Sequence, residues 1–399
     1  MIKTFSGILF SIIITVSCFA QRKIADDQSL NKMIDQHFKD AYSQYKVLMN
    51  NLPPGRFPKT FQNDTLNTSG SDWWCSGFYP GSLLYIYEQT KDTVLYNEAI
   101  RMLGLLQKEQ YNTGTHDLGF MMYCSFGNAL RLDTGNTAYK KILINSARSL
   151  ASRFNQKVGC IKSWNSKPSD FLVIIDNMMN LELLFWATKQ TGDSSFYKIA
   201  VTHANTTMKN HFRPDHSSYH VVNYNPETGE VQQKKTAQGA ADSSAWARGQ
   251  SWALYGYTIM YRETKEKKYL DQANAIGNFV LSNPNLPSDK IPYWDYDAPG
   301  IPNALRDASA ASVMASAFIE LSSYNNKADA DKYMSAAETI LRNLSASNYK
   351  AAMGTNGGFL IKHCVGNMPQ HSEVDVPLTY ADYYFLEAMK RYKDMSGTK

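Results

Sequence analysis

The 399-residue sequence lacks the local signatures of several common enzyme classes. It contains no GxSxG nucleophile elbow, no GK[ST] phosphate loop and no HExxH zinc motif. No run rich in Asp and Asn resembles a calcium loop. These absences argue against a serine hydrolase with a nucleophile elbow, a P-loop nucleotide-binding enzyme and a zinc protease of the HExxH type. The chemistry that remains is acid–base catalysis by carboxylates, with no cofactor and no metal.

Cysteine is scarce and its spacing suits no zinc site. The sequence has five cysteines, no CxxC pair and no His-rich partner segment. Four of them follow the first twenty residues, and buried thiols are their favoured interpretation. A disulfide in an oxidising compartment stays open, because sequence alone does not pair cysteines. The four are Cys75, Cys124, Cys160 and Cys364.

Excess charge and long apolar runs are also missing. The net charge is only +5, which would tolerate an anionic substrate but falls short of a nucleic-acid-binding patch. No segment after residue 20 is long and apolar enough to span a membrane. Residues 1–20 have a basic start, a ten-residue apolar stretch and a small-x-small site ending at Ala20. We therefore predict a signal peptide over 1–20 and export to the periplasm. A lipoprotein anchored through Cys18 is less favoured, because residues 15–17 make a poor lipobox.

No Pro/Gly/Ser-rich linker divides the rest of the chain, but a diverged repeat runs through it. "EQTKDTVLYNEAI" from Glu88 and "KQTGDSSFYKIA" from Lys189 show the pattern: a Thr-containing turn, an aromatic anchor and an amphipathic helix. Each turn follows a segment that is apolar on most of its circumference, which must be enclosed on nearly every side. Six such inner helices and six amphipathic outer helices predict an all-α (α/α)6 barrel, a single domain over 21–399 with short β-hairpins in its loops. The expected hairpins are "SSYHVVNYN" with the turn "PETGE", and "GGFLIKHC". The anchors are Tyr96, Tyr139, Tyr197, Tyr269 and Tyr333.

The predicted inner helices begin with an unusual set of charged residues. If inner and outer helices alternate in direction, all inner helices start at one end of the barrel, which we call the mouth. Taken singly, each Asp at a start is an economical N-cap. Together they would place several acids in a partly desolvated funnel, which raises the pKa of at least one carboxyl and makes it a proton donor. The starts lie near Gly77, Asp117, Asp176, Arg248, Asp307 and Asp382.

The loops that lead into the mouth carry groups suited to a sugar acid. The chain has 25 Tyr, 18 Phe and 7 Trp, and aromatic rings either stack on sugars or simply fill the core. Arg248 could pair with a carboxylate through its planar fork. His116, His220 and Gln238 are candidate hydroxyl or carboxylate partners, with structural hydrogen bonds as the alternative.

Three motifs resemble the unsaturated glucuronyl hydrolases of glycoside hydrolase family 88. They are "IIDNMMNLELLFWA", "AQGAADSSAWARGQSWALYGY" and "PYWDYDAPGIPNALRDASAA", and the similarity runs over roughly residues 72–393. The resemblance implies an (α/α)6 barrel that hydrates the vinyl ether of a 4,5-unsaturated uronic acid left at a non-reducing end by a polysaccharide lyase. It implies that Asp176 is the general acid and then the general base. It also implies that Asp117 orients the substrate and tunes the pKa of Asp176. It also implies a uronate site, with no metal, formed by Trp74, His116, Trp164, His220, Gln238, Arg248 and Trp252.

One departure from the family and three alternatives remain. Members that handle sulfated ends can carry an S-x-x-S-x-K pattern, where this sequence has Asn367, Gln370 and Ser372. The expected substrate is a glycosaminoglycan-type oligosaccharide, and the expected state is a monomer or weak dimer. The alternatives are an unsaturated rhamnogalacturonyl hydrolase acting on pectin fragments, a conventional inverting glycosidase and a non-catalytic sugar-binding barrel.

Overall fold

The computed structural model describes residues 27–397. Within this range the chain forms twelve α-helices and nine short β-strands. The predicted signal peptide and Cys18 lie outside the described residues. No helix in this range is long and apolar enough to cross a membrane.

The helices form two concentric rings, as the repeat predicts. The outer ring consists of α1 (Gln28–Asn51), α3 (Thr93–Leu106), α5 (Thr137–Ala151), α7 (Ser194–Asn210), α9 (Lys267–Ser282) and α11 (Lys327–Leu344). The inner ring consists of α2 (Phe78–Thr90), a π-helix (Gly119–Gly127) continued by α4 (Asn128–Leu132), a 3₁₀ helix (Ile175–Asn180) continued by α6 (Leu181–Thr191), α8 (Ala247–Thr264), α10 (Ala308–Ser322) and α12 (Thr379–Ser396). The predicted (α/α)6 barrel is confirmed.

Three of the turns that join an inner helix to its outer partner begin with a left-handed residue. Gly192 follows α6 with a left-handed φ of 75°, which stops the helix. Asp193 comes next, and its side chain accepts the backbone N–H of Ser195 to cap α7. Lys91 and Lys265 occupy the same left-handed position after α2 and α8. After α2 and α6, the polar turn of the repeat is therefore a helix stop followed by a side-chain cap.

The inner helices are almost completely enclosed. Every residue of α10 is buried, and α8 is buried continuously from Ala247 to Met260. The ring closes because α12 packs against both α10 and α2. One hydrophobic core cluster runs from Leu30 to Met395 and draws on both rings. Because outer helices cover the inner ring laterally, only the barrel ends offer access to its interior.

The strands lie in the loops that join the helices. β1 (Phe57–Gln62) pairs with β2 (Thr65–Ser69), β3 (Phe154–Asn155) with β4 (Cys160–Ile161), and β8 (Cys364–Asn367) with β9 (Ser372–Val376). β5 (Phe171–Ile174), β6 (Val221–Tyr224) and β7 (Val231–Lys235) form a three-stranded sheet. The hairpin predicted across "PETGE" is confirmed as β6–β7.

The hairpin predicted within "GGFLIKHC" is wrong in position. Gly357 and Gly358 have left-handed φ values of 63° and 94° and form a tight turn against Leu48. Ile361 forms only an isolated bridge with Lys350, and the regular hairpin starts at Cys364, the last residue of that segment, which pairs with β9. All four cysteines in the described range are free thiols.

Candidate active site

Asp117 and Asp176 both lie at the mouth, but neither starts a regular α-helix. Asp117 comes two residues before the π-helix, and Asp176 lies within the 3₁₀ helix that leads into α6. The side chain of neither acid caps a helix, so the N-cap interpretation is wrong for both. Among the five charged starts, Asp307 does cap its helix, by accepting the backbone N–H of Ser309. Irregular helical turns often mark functional sites.

Asp176 is a mostly buried acid, and one of its two oxygens has no hydrogen-bond partner among the described residues. Its side chain is only 14% exposed, and among the described residues nothing hydrogen-bonds its Oδ2 atom. The pKa of Asp176 is raised to about 7, mainly by burial. The positive charge of Arg248 opposes this rise, and the negative charge of Asp117 adds to it. Asp176 is therefore half protonated near neutral pH, as a general acid requires.

His220 faces Asp176 in a defined tautomer. Its Nε2 lies 3.8 Å from Asp176 Oδ2. Its Nδ1 accepts the backbone N–H groups of Ala237 and Gln238, each at 3.2 Å, so the ring proton resides on Nε2. Burial, followed by the charge of Arg248, lowers the pKa of His220 to about 3. The ring is thus a neutral N–H donor aimed at the acid.

Asp117 has its own set of partners. Thr115 donates its hydroxyl to Asp117 Oδ2 at 2.7 Å. His116 Nε2 lies 3.3 Å from Asp117 Oδ1, and this histidine is 1% exposed. Burial lowers the pKa of His116. The two acids therefore differ: Asp117 is hydrogen-bonded in place, whereas Asp176 has an unpaired oxygen.

Arg248 is fully buried, and part of its guanidinium is hydrogen-bonded to other groups of the protein. Its Nη1 donates to Asp307 Oδ2 at 3.0 Å and to the carbonyl of Val365 at 2.5 Å, and its Nη2 donates to the carbonyl of Gly366 at 2.6 Å. The same carbonyl accepts the side-chain amide of Gln238 at 2.9 Å. The guanidinium also lies 4.4 Å from the ring of Trp246. Arg248 thus holds the β8–β9 hairpin over the mouth, and its Nε–H and one Nη2–H remain for a ligand.

The predicted tryptophans lie around these charged groups. Trp74 and Trp252 pack on Phe120 from two sides, with ring centroids 5.7 Å and 5.0 Å away. Trp252 is fully buried, and its indole N–H has no hydrogen-bond partner among the described residues. Trp164 meets His220 edge-on at 5.8 Å. Trp74 and Trp164 are partly exposed and can offer aromatic faces to a sugar, whereas Trp252 is enclosed behind Phe120.

Comparison with known proteins identifies the family. The sequence profile of Glycosyl Hydrolase Family 88 matches residues 46–394. An unsaturated glucuronyl hydrolase from Formosa agariphila is 42% identical over 97% of this chain and 98% of its own length. This chain belongs to glycosyl hydrolase family 88. The family resemblance predicted from the three motifs is therefore confirmed, and the chain is a glycoside hydrolase.

Solved structures of similar proteins agree with the family assignment. An unsaturated glucuronyl hydrolase specific for heparin superposes with a TM-score of 0.89 at 46% identity, covering 92% of this chain and 98% of its own. An Asp-to-Asn variant of the Streptococcus agalactiae enzyme, complexed with dGlcA-GalNAc6S, has a TM-score of 0.77 at 28% identity and covers 98% of this chain and 99% of its own. An unsaturated chondroitin disaccharide hydrolase from Streptococcus pneumoniae is 33% identical over 84% of this chain and 86% of its own.

The family 88 site contains a positioning residue that sequence reasoning missed. Asn180 is completely buried, and its Oδ1 accepts the backbone N–H of Phe120 at 3.0 Å. It thereby joins the turn that carries Asp176 to the π-helix that follows Asp117. Gly119 permits this approach, because a Cβ there would lie 2.6 Å from the Asn180 Cα. The signal in the sequence is the second Asn of "DNMMN", four residues after the acid.

The described residues of the family 88 barrel offer no metal site. No group of three or more His, Cys, Asp or Glu side chains assembles between residues 27 and 397 in a way that could hold an ion. The residues at the mouth instead supply one protonatable acid, a second carboxylate, neutral imidazoles and a guanidinium. This set can transfer a proton to a substrate and retrieve one from water.

Proposed function

We propose that this glycoside hydrolase is an unsaturated glucuronyl hydrolase that removes a 4,5-unsaturated uronic acid from the non-reducing end of glycosaminoglycan-derived oligosaccharides. The observation that carries the proposal is the unpaired, buried Oδ2 of Asp176, an acid with a pKa of about 7. Its surroundings of Arg248, His220 and tryptophan suit an anionic sugar. The names and complexes of the similar proteins support the same substrate class.

The reaction needs one group that first gives and then takes a proton. Protonated Asp176 delivers its proton to carbon 4 of the vinyl ether, and positive charge develops at carbon 5 and the ring oxygen. The resulting Asp176 carboxylate removes a proton from water, whose oxygen bonds to carbon 5. The hemiketal then opens, and the leaving sugar departs as the ring rearranges to a keto acid. Asp176 ends the cycle protonated, as it began.

The neighbouring residues have separate roles in this scheme. Asp117 lies close enough to raise the pKa of Asp176, which keeps the acid protonated near neutral pH. The Nε2–H of His220 donates to the Asp176 carboxylate or to a substrate hydroxyl. The free N–H groups of Arg248 pair with the uronate carboxylate. Trp74 and Trp164 contact the sugar ring, Trp252 supports Trp74 through Phe120, and His116 and Gln238 complete the polar lining.

The substrate also indicates at which step of polysaccharide breakdown the enzyme acts. A double bond between carbons 4 and 5 is what a polysaccharide lyase leaves behind when it cleaves by elimination. The enzyme therefore acts after such a lyase. In our proposal it is exported to the periplasm by residues 1–20 and works as a monomer or weak dimer.

The test is turnover of unsaturated disaccharides by the parent and by Asp176→Asn. Loss of the ultraviolet absorbance of the conjugated double bond reports hydration directly. Asn cannot deliver a proton, so Asp176→Asn should lose at least about a hundred-fold in kcat. Its melting temperature should stay near that of the parent, because Oδ2 makes no hydrogen bond to lose.

The choice of substrates separates the alternatives. Disaccharides from hyaluronan, chondroitin and heparin test the proposal, and a pectin-derived disaccharide tests the rhamnogalacturonyl alternative. Turnover of the pectin fragment alone would favour that alternative. Constant absorbance with every substrate, or near-parent activity of Asp176→Asn, would overturn the proposal.

A further inference from the structure

We propose that Arg153 and Lys162 form a subsite that binds an oxyanion substituent on the sugars beyond the cleaved uronate, either a sulfate ester on the next sugar or the carboxylate of a second uronate. The inference rests on the proposed function and narrows its substrate class to oligosaccharides that carry a second negative group. It concerns residues outside the uronate site described above.

Arg153 is a positive charge whose hydrogen bonds all go to uncharged groups. Its Nε donates to the carbonyl of Lys162 at 2.8 Å. Its Nη2 donates to the carbonyl of Ser163 at 3.2 Å and to Asn165 Oδ1 at 3.3 Å. Its Nη1 donates to the carbonyl of Thr113. All four acceptors are neutral oxygens, so the hydrogen bonds fix the guanidinium in place without neutralising its charge.

Lys162 lies beside Arg153, and its ammonium group is 5.7 Å from the centroid of the Phe171 ring. Burial lowers the pKa of Lys162, and the neighbouring charge of Arg153 lowers it further, while the charge of Asp170 only partly opposes these effects. Burial also lowers the pKa of Arg153. Two adjacent cations that are costly to keep charged would both be stabilised by a bound anion.

A cavity is present where such an anion would bind. An open recess of about 490 Å³ is lined by both cations, by the aromatic rings of Phe154 and Phe171, and by Thr113. No acidic side chain of the described chain lines it. The recess is therefore cationic and accessible from solvent.

The recess adjoins the proposed uronate site. The residues that Arg153 contacts, Ser163 and Asn165, flank Trp164 on both sides. Thr113 precedes His116 and Asp117 by a few residues, and the charge of Asp117 acts on Arg153. A sugar that continues from a uronate held at Asp176 can therefore place a substituent near these cations. The hairpin positions Asn367, Gln370 and Ser372 carry no cation, so this would be a separate route to recognising sulfate.

The experiment compares binding with and without the second negative group. Kd is measured by calorimetry in the inactive Asp176→Asn chain, for unsulfated and sulfated unsaturated disaccharides and for an unsulfated tetrasaccharide with a second uronate. Lys162→Gln in this background should weaken binding of a charged ligand about ten-fold more than binding of the unsulfated disaccharide. Lys167→Gln, which removes an exposed lysine from the same loop, is the matched control and should leave the Kd ratio unchanged.

The outcomes distinguish the subsite from the proposed function. A selective loss with the sulfated disaccharide assigns the subsite to a sulfate ester, and one with the tetrasaccharide assigns it to a carboxylate. If Lys162→Gln leaves both Kd ratios unchanged, or changes them as Lys167→Gln does, the subsite is overturned. Parent enzyme that turns over no substrate overturns the proposed function instead, and the Kd ratios still decide the subsite.

Discussion

Buried carboxylates lie at both the mouth and the deep end of the barrel, but their partners differ. At the end opposite the mouth, Glu320 accepts a hydrogen bond from Arg262 Nη1 at 3.0 Å and also pairs with Arg391. We call these three residues the deep network. Burial alone would raise the pKa of Glu320, but the two guanidinium groups outweigh it and lower the pKa to about 2. At the mouth, Asp176 has no such partner, and its pKa rises to about 7. Paired charge gives structure at one end, and an unpaired acid is available for chemistry at the other.

A third acid shows that a raised pKa does not by itself identify the catalyst. Asp382 is completely buried, and burial raises its pKa to about 7, although three hydrogen bonds oppose the change. Its oxygens accept the backbone N–H groups of Leu360 and Ile361 at 2.9 Å and 3.0 Å, and the hydroxyl of Tyr45 at 3.2 Å. Asp382 holds a loop to α12 and has no oxygen left for a substrate. What distinguishes Asp176 is its unsatisfied Oδ2.

The same contrast predicts opposite pH dependences of stability. The lowered pKa of Glu320 means that it stabilises the fold above its unfolded pKa, and that this contribution is lost as pH falls toward about 2. Asp176 and Asp382 have raised pKa values, so they contribute stability when they are protonated. This contribution is fully present below about pH 4 and is lost as pH rises through about 7.

The largest expected loss of stability comes from breaking the deep network. Glu320→Gln removes the buried charge shared by Arg262 and Arg391 and leaves these two partly buried guanidinium groups undercompensated. The free energy of unfolding should fall by roughly 3–5 kcal/mol, measured by urea unfolding at pH 7. The folded variant should keep the parent's kcat. A large loss of kcat with unchanged stability would contradict this division between the two ends.

Arg248 tests whether a guanidinium at the mouth does more than hold structure. Arg248→Ala should lower kcat/KM by the equivalent of about 2–4 kcal/mol, because a charge-assisted pair with the uronate is lost. Arg248→Lys keeps the charge without the fork and serves as the control, with an intermediate loss. An unchanged kcat/KM in the alanine variant would mean that Arg248 only ties Asp307 and the hairpin together.

Asp382→Asn is the structural counterpart of the Asp176 variant. Asn keeps one acceptor oxygen but replaces the other with an N–H facing a backbone N–H, so stability at pH 5 should fall by about 1–3 kcal/mol. Because the titrating group is gone, less stability should be lost between pH 5 and pH 8 than in the parent. The alkaline limb of kcat should not move, since Asp176 is intact. A moved limb would show that Asp382 takes part in proton transfer.

Asp117→Asn should act on the pH profile. Removing this negative charge lowers the pKa of Asp176, so the alkaline limb of kcat should move to lower pH. If the pKa of Asp176 falls by about one, kcat at neutral pH should fall by up to about ten-fold, because fewer molecules carry the proton. Unfolding at pH 5 is the control for structural damage. A limb that stays in place would mean that the two acids are not coupled.

The smallest expected effect is that of a chelator. In the proposed mechanism the mouth transfers protons with carboxylates alone, so incubation with EDTA followed by dialysis should leave kcat unchanged. Activity that is lost and then restored by a divalent cation would contradict the proposed mechanism.

Much of the fold could be read from local pattern. Apolar segments that alternate with amphipathic ones, joined by Thr-containing turns, required a double ring, because a helix that is apolar all round needs neighbours on all sides. The helix boundaries at the mouth could not be read in this way. Asp117 and Asp176 lead into π and 3₁₀ turns instead of capping helices, and these turns are joined by a contact between residues distant in sequence, the backbone N–H of Phe120 and the side chain of Asn180.

The ring architecture, the family and the set of residues at the mouth all follow from the amino-acid sequence, because periodicity and motifs are carried on short segments. Which acid is free depends on the folded chain. Asp176, Asp307 and Asp382 look alike in sequence, but one is unpaired, one caps its helix and pairs with Arg248, and one is saturated by a loop and Tyr45. The unneutralised charge of Arg153 is likewise visible only in three dimensions. The physical reason is that a pKa and a hydrogen-bond balance depend on burial and on partners distant in sequence.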